Sequence, residues 1–268
     1  MPDSNTIFSE SIPENYDRYL GPTMFETYAA DLANRVAANS NGAVLETACG
    51  TGILTQALRA RLPLTTPIVA TDIGQAMLDY ARKKLGDLQN VEWKQADATV
   101  LPFPSASFGA VACQFGVMFF PDKLAAFKEA RRVLTDNGAF YFNVWGDMAH
   151  NPAASLAHGT LSKIFPDNPP NFYTVPFGFN DREVLRSLLT NSGFRNLEFE
   201  EIAMEVSSPS AKEYAIGYLA GTPASTAIRE RGGNVDEVVD TLTKSFAQLG
   251  GEAPFRAPMH ALVITAHA

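Results

Sequence analysis

The apolar run Val44-Leu45-Glu46-Thr47-Ala48 passes directly into a stretch of small residues, Cys49-Gly50-Thr51-Gly52. A second apolar run ends 20 positions past Gly52, at Thr71-Asp72. A strand feeding a loop without bulk, then a helix, then a strand ending in an acid constrains the fold more than anything else in the chain. It is the layout of an adenosine-cofactor site in an open α/β sheet. Small residues let backbone N–H groups approach the ligand, and the acid accepts from the ribose hydroxyls. Spacing separates the cofactors. A dinucleotide site needs a third Gly or Ala three residues after the second. Counting from Gly50 and Gly52 that place is Thr55, and counting from Ala48 and Gly50 it is Ile53. An NAD(P)-dependent oxidoreductase therefore fits poorly.

The rest of the chain alternates in the same way. Candidate strands at residues 44–48, 68–72, 91–96, 110–114 and 139–144 are separated by helical patterns. Leu78, Ala81 and Leu85 share one face, as do Leu124, Phe127 and Arg131, continuing to Leu134. Asp136-Asn137-Gly138 reads as a turn closing a helix before its strand. Asn180-x-x-Glu183 reads as the cap of a helix carrying Val184, Leu185, Leu188 and Leu189, closed by Gly193. Strands at 197–204 and 260–266 bring the total to seven, which predicts an α/β, doubly wound sheet. Three segments lie outside that pattern. Residues 1–40 contain a helix with Phe25, Tyr28, Leu32 and Val36 on one face. Residues 146–180 form a long connection rich in Pro, Phe and Asn. Residues 208–252 hold an amphipathic helix with Val235, Val238, Val239, Leu242, Phe246 and Leu249 at helical spacing.

Glu46-x-Ala48-Cys49-Gly50-Thr51-Gly52 resembles motif I of the class I S-adenosylmethionine (SAM) methyltransferases, acid-x-Gly-Cys-Gly-Thr-Gly, with Ala48 where the family usually has Gly. Thr71-Asp72-Ile73-Gly74-x-x-Met77 resembles the motif that follows it. Gln95-Ala96-Asp97-Ala98 resembles the adenine-binding turn after the third strand. The segment Leu101-Pro102-Phe103-x-x-x-Ser107-Phe108-Gly109 resembles the usual Leu-Pro-Phe-x-x-x-Ser-Phe-Asp, with Gly109 in place of Asp. The resemblance is close over residues 42–145 and looser, by order of elements, to the end. The nearest relatives look like the ubiquinone/menaquinone-biosynthesis type, carrying a type 11 methyltransferase domain. It implies a seven-stranded Rossmann-like sheet whose last strand is antiparallel and inserts beside the fifth. It also implies a single methyltransferase domain over 1–268: a helical segment at 1–40, a SAM-binding core at 42–145, and cap or substrate insertions at 146–180 and 208–252.

The same resemblance implies SAM as cofactor, S-adenosylhomocysteine as product and a small-molecule methyl acceptor. Glu46, Ala48, Gly50, Thr51 and Gly52 would form the loop beside the methionyl part of SAM. Asp72 would bind both ribose hydroxyls, with Ile73 on the adenine and Met77 in the same motif. Asp97 would accept from the exocyclic amine while the Ala98 N–H donates to a ring nitrogen, a pairing that suits adenine. The Gln114 carbonyl would take the methionyl amine, with Phe115 beside the transferred methyl. Tyr16, in Tyr16-Asp17-Arg18-Tyr19, would close over the methionyl carboxylate. Structural readings stand beside these: a helix cap for Asp72, an Asx turn for Asp97, core packing for Phe115, and helix anchoring for Tyr16.

Charge and composition set limits. A net charge of −8 disfavours a nucleic-acid backbone or an anionic membrane as main partner. No apolar stretch approaches the ~20 residues of a bilayer span. An N-terminal region with Asp3, Glu10 and Glu14 lacks the basic-then-apolar form of a signal peptide. Cys49 and Cys113 are the only cysteines, which implies no disulfide framework and a reducing cytoplasm. The four scattered His residues argue for no metal site. The catalytic base is unassigned: His150, His158, Tyr173 and His260 are candidates by type alone, and a sulfonium methyl is electrophilic enough for alignment and water exclusion to supply most of the acceleration. Oligomeric state is open, a homodimer being one option. Phe165, Phe172, Tyr173, Phe177 and Phe179 crowd the 146–180 connection. They form either a satellite core or, with 208–252, a lid over an apolar pocket, in which case the acceptor is a largely apolar or aromatic small molecule. A SAM-binding sensor or partner subunit without turnover is the alternative to an enzyme.

Overall fold

A single helical turn, α1 (Ile12–Asn15), runs on as a π-helix over Tyr16–Phe25 and then as α2 (Glu26–Asn39). The widened turns hold Pro22, whose ring would clash with the preceding carbonyls of a regular helix. β1 (Val44–Glu46), α3 (Ile53–Arg61), β2 (Ile68–Asp72), α4 (Gln75–Leu85) and β3 (Val91–Gln95) follow. β4 (Phe108–Gln114), α5 (Lys123–Val133), β5 (Leu134–Trp145), α6 (Pro152–Ile164) and α7 (Arg182–Asn191) come next. β6 (Arg195–Ser208), α8 (Ala211–Ala220), α9 (Ala224–Glu230), α10 (Val235–Gly250) and β7 (Phe255–His267) complete the chain. This computed structural model describes residues 12–39 and 41–268; Asp3 and Glu10 lie outside the described residues.

The seven strands form one sheet in the order β3-β2-β1-β4-β5-β7-β6. β1 pairs parallel with β2 and β4, and β5 extends the parallel set beside β4. β7 enters antiparallel beside β5, from Ala139↔His267 to Trp145↔Ala261. The chain winds outward from β1 in one direction through β2 and β3, and from β4 in the other. The order therefore reverses between β1 and β4, the place where open α/β sheets bind ligands.

Several local expectations shift. β1 stops at Glu46 because Ala48 takes a left-handed φ of 53°, which no strand accommodates. Leu134 is extended and opens β5 instead of closing a helix. Asp136-Asn137-Gly138 lies inside β5 as a bulge: the register runs Phe108↔Leu134 and then Ala110↔Ala139, so the loop absorbs the excess residues of β5. Asp181, one residue past Asn180, caps α7 by accepting from the Glu183 and Val184 N–H groups. The proline-rich connection contains α6, with Pro152 in its first turn, where the missing N–H costs nothing.

The chain divides into two compact units. The sheet unit comprises Tyr28–Trp145, Phe179–Ile202 and Ala261–Ala268. Phe127, Phe140 and Phe142 pack together in its core, with Phe194 against Phe140. A second group joins Tyr28, Phe115 and Trp145. At the sheet edge, β6 places Glu200 and Glu201 in ion pairs with Arg35 and Arg182.

The helical unit comprises residues 12–27 together with Gly146–Gly178 and Ala203–His260. Its core is aromatic: Tyr173 stacks on Tyr218, and Tyr214 packs on Phe246 and Phe255. The Tyr173 hydroxyl donates to the Tyr218 carbonyl at 2.9 Å. Buried Asn151 acts as a staple. It accepts from the His260 N–H and donates to the carbonyls of Gly146, Asp147 and His260. Gly217 is required because a Cβ would meet Tyr19 and Leu20. Among the described residues, no helix is long and apolar enough to cross a membrane.

Candidate cofactor site

The tips of β1, β2 and β4 converge where the strand order reverses. Past Glu46 the chain stays hydrogen-bonded on both sides, Thr47 N–H to the Ala112 carbonyl and Cys49 N–H to the Thr71 carbonyl, each at 2.9 Å. The loop then turns through left-handed Ala48, Gly50 (φ 55°) and Gly52 (φ 79°) into α3. The two glycines differ. A Cβ on Gly50 would point into open space, whereas one on Gly52 would stand 2.7 Å from Leu85 Cδ1 and 3.1 Å from the Trp93 ring.

Asp72 ties this loop to the next one. Its Oδ2 accepts from the Gly50 N–H and its Oδ1 from the Gly74 N–H, each at 2.8 Å. The carboxylate retains acceptor capacity for a further donor. Burial pushes the Asp72 carboxyl up from its ordinary value, and the Gly74, Gly50 and Ile73 N–H groups pull it back. Glu46, at the end of β1, is fully buried and accepts from the Thr55 hydroxyl at 2.6 Å. Burial pushes its carboxyl up to about 8, against the Thr55 bond, with the Asp72 charge adding to the rise. That pair explains why Thr55, not a small residue, stands in the first turn of α3. The Thr51 hydroxyl is buried and lacks a partner among the described residues, the kind of orphan a bound ligand satisfies.

Met77, beyond Gly74, is buried, and the Ile73 carbonyl accepts from the Gln95 side chain at 2.9 Å. The Ala96 N–H donates to the Asp72 carbonyl, which brings the segment after β3 to the same edge. Asp97 there is exposed and closes an Asx turn, its Oδ1 accepting from the Thr99 N–H and hydroxyl; Ala98 lies within that turn. Gln114 ends β4. Phe115 follows in a left-handed conformation (φ 49°), 5% exposed, its ring stacked on Trp145 at 3.8 Å. The sheet unit thus brings together Glu46, Ala48, Gly50, Thr51, Gly52, Asp72, Ile73, Met77, Asp97, Ala98, Gln114 and Phe115. Tyr16 belongs to the helical unit, where it stacks on Phe25 at 4.6 Å.

The four candidate bases also lie in the helical unit. Exposed His150 pairs with Asp147 at 2.8 Å, and its ring lies 5.4 Å from that of His260. Tyr173 has its hydroxyl committed to a carbonyl, and burial raises its pKa. His158 carries a buried Nδ1 without a partner. Among the described residues, no group of His, Cys, Asp and Glu could hold a metal ion. Sequence reading passed over Thr55 and Asn143. Asn143, fully buried, interrupts the apolar run of β5 and accepts from the Phe115 N–H at 2.9 Å. A polar residue inside an otherwise apolar strand was its available signal.

A reversal-point site with a glycine loop, a latching acid and an antiparallel last strand defines a SAM-dependent methyltransferase, and comparison with known proteins agrees. The methyltransferase domain family matches residues 45–142. A demethylmenaquinone methyltransferase of Staphylococcus epidermidis is 30% identical over 210 residues, spanning 72% of this chain and 85% of the relative. A malonyl-[acyl-carrier protein] O-methyltransferase of Geobacter sulfurreducens is 28% identical over 218 residues, 78% of this chain and 77% of that one. Phosphoethanolamine N-methyltransferase 2 of Haemonchus contortus, solved with S-adenosylhomocysteine, shares the fold with a TM-score of 0.59 at 17% identity, over 95% of this chain and 57% of that one. The chain belongs to the class I SAM-dependent methyltransferases, and SAM is its cofactor.

Proposed function

We propose that this methyltransferase acts on a small, largely apolar or aromatic acceptor. The observation that carries this reading is the demethylmenaquinone methyltransferase relative, which is similar along most of its own length. We assign cofactor binding to the loop from Glu46 to Gly52, to Asp72, Ile73 and Met77, to Asp97 and Ala98, and to Gln114 and Phe115. Supporting it are the open space above Gly50, the Thr51 hydroxyl without a partner among the described residues, and the acceptor capacity left on Asp72. Tyr16 is assigned to the methionyl carboxylate on resemblance alone.

Bound SAM would supply an electrophilic methyl group. The residues contribute placement. Asp72 accepts from the ribose hydroxyls while holding Gly50 and Gly74, so ligand contact and loop geometry are fixed by one side chain. Glu46 and Thr55 hold the base of the loop rigid beneath it. Proton removal from the acceptor is assigned to no residue of the sheet unit. The proton that an O- or carbon-acceptor releases passes to solvent, and alignment of the sulfonium methyl with the acceptor supplies most of the acceleration.

The test is methyl transfer from labelled SAM to a panel of quinols, phenols, amines and carboxylic acids. Turnover confined to quinols and phenols supports the reading. Turnover confined to free or carrier-linked carboxylates would replace it with the chemistry named for the Geobacter relative.

A further inference from the structure

We propose that Asn143 is a positioning residue that sets the grip of the site on the amino-acid end of SAM, acting through the Gln114–Phe115 peptide. This rests on the cofactor-site reading above, in which the Gln114 carbonyl takes the methionyl amine. The Asn143 Oδ1 accepts the Phe115 N–H at 2.9 Å, inside the sheet unit and out of solvent. A trans peptide is planar, so fixing the Phe115 N–H toward β5 fixes the Gln114 carbonyl in the opposite direction. Strand alternation gives the same direction. Two residues earlier, the Ala112 carbonyl points to β1 and accepts from the Thr47 N–H at 2.9 Å. The Gln114 carbonyl faces the same side, past the end of β1, where the glycine loop begins.

The turn would not hold this shape unaided. Phe115 is left-handed, a conformation that a side chain disfavours. Side chains of the strands clamp it from both sides. Asn143 takes the Phe115 N–H, and the Cys113 sulfur lies so close to Gly116 that a Cβ there would come within 2.7 Å of it. Trp145, two residues beyond Asn143 on β5, stacks on the Phe115 ring. On the far side Gly116 lies so close to Ala48 that a Cβ would come within 2.6 Å of the Ala48 Cβ. The second observation concerns the rest of the Asn143 amide. Its Nδ2 is buried without a partner among the described residues. An apolar side chain of the same shape would avoid that loss. What such a chain could not supply is the acceptor for Phe115.

The test separates the amino-acid end from the nucleoside end. Affinities of wild type, N143L and N143D for S-adenosylhomocysteine and for 5′-methylthioadenosine, which lacks the amino-acid end, are measured by titration calorimetry and competition. N143L removes the acceptor and keeps the shape. It is expected to weaken S-adenosylhomocysteine by about tenfold or more, the size of one charge-assisted hydrogen bond, while 5′-methylthioadenosine changes less than threefold. N143D, which keeps the acceptor, should restore most of the loss. G116A pushes the same turn from the other side and should give the same split, which covers the case in which N143L does not fold. Parallel loss of both ligands, or no loss of either, overturns the proposal. Failure of the wild type to bind S-adenosylhomocysteine at all would instead overturn the cofactor-site reading.

Discussion

Replacing Gly52 by alanine should cost far more stability than the same change at Gly50, although the two stand two residues apart in one loop. Both are left-handed, with φ 55° at Gly50 and 79° at Gly52, so each alanine pays about 1–2 kcal/mol for its backbone conformation. Space then separates them. The Gly50 Cβ meets nothing within 4 Å, while that of Gly52 meets Leu85 at 2.7 Å, Trp93 at 3.1 Å and Ala81 at 3.4 Å. Leu85 can swing its methyl aside, but the Trp93 ring is packed against Ala70, Leu78 and Cys49 and must shift as a body. Overpacking of this kind adds about 1–3 kcal/mol, bringing G52A to about 2–5 kcal/mol. At about 2–4 °C of melting temperature per kcal/mol, G52A should melt about 4–20 °C below wild type and G50A about 2–8 °C below it. Thermal unfolding by circular dichroism, without ligand, measures both. Equal melting temperatures for the two variants would refute the assignment of Gly52 to packing and Gly50 to an open loop.

Asp72→Ala removes the proposed ribose acceptor and the partner of two N–H groups together. SAM affinity should fall more than tenfold and melting temperature should also drop; unchanged calorimetric binding by a folded variant would refute the ribose role. Glu46 predicts a pH dependence. Its carboxyl is raised from 4.5 to about 8 in the folded chain, so its share of stability is complete below pH 4.5 and is lost as pH rises toward 8. Denaturant unfolding of wild type and E46Q across that window should show the wild type losing stability with pH relative to E46Q, and parallel profiles would contradict the burial argument. Asn151→Ala deletes the staple of the helical unit and should cost about 2–3 kcal/mol in denaturant unfolding, with SAM affinity unaffected. A neutral result would mean that water replaces the amide.

The sheet and the glycine loop were legible because their signals are local. The run from Glu46 to Gly52 and the acid at Asp72 depend on spacings that a strand, a loop and a helix fix by themselves. The features that escaped depend on register. Nothing near Asn143 in sequence announces that it faces a residue 28 positions earlier; only the β4–β5 pairing does so. The bulge at Asp136-Asn137-Gly138 mimics a turn because its residues suit both, and only the mismatch with β4 decides. The prolines between 146 and 180 hid α6, since a proline in a first turn and one in a loop look alike in sequence. The aromatic side chains there had two readings, and Tyr173 takes the structural one, buried against Tyr218.

The acidic run on β6 bears on self-association. As the last strand in the order it presents a backbone edge with no further strand beside it among the described residues, which is a template for pairing with another chain. Glu198, Glu200, Glu201 and Glu205 crowd this strand, and the ion pairs to Arg35, Arg182 and Arg256 neutralise only part of that charge. A second copy approaching edge to edge would bring two such rows into opposition, and like charges facing each other across a sheet repel. Such repulsion opposes edge-to-edge pairing, and it should fade as acid protonates the row or salt screens it. In mildly acidic, high-salt buffer the folded protein should gain strand-paired oligomers that dissolve again on return to neutral, dilute conditions.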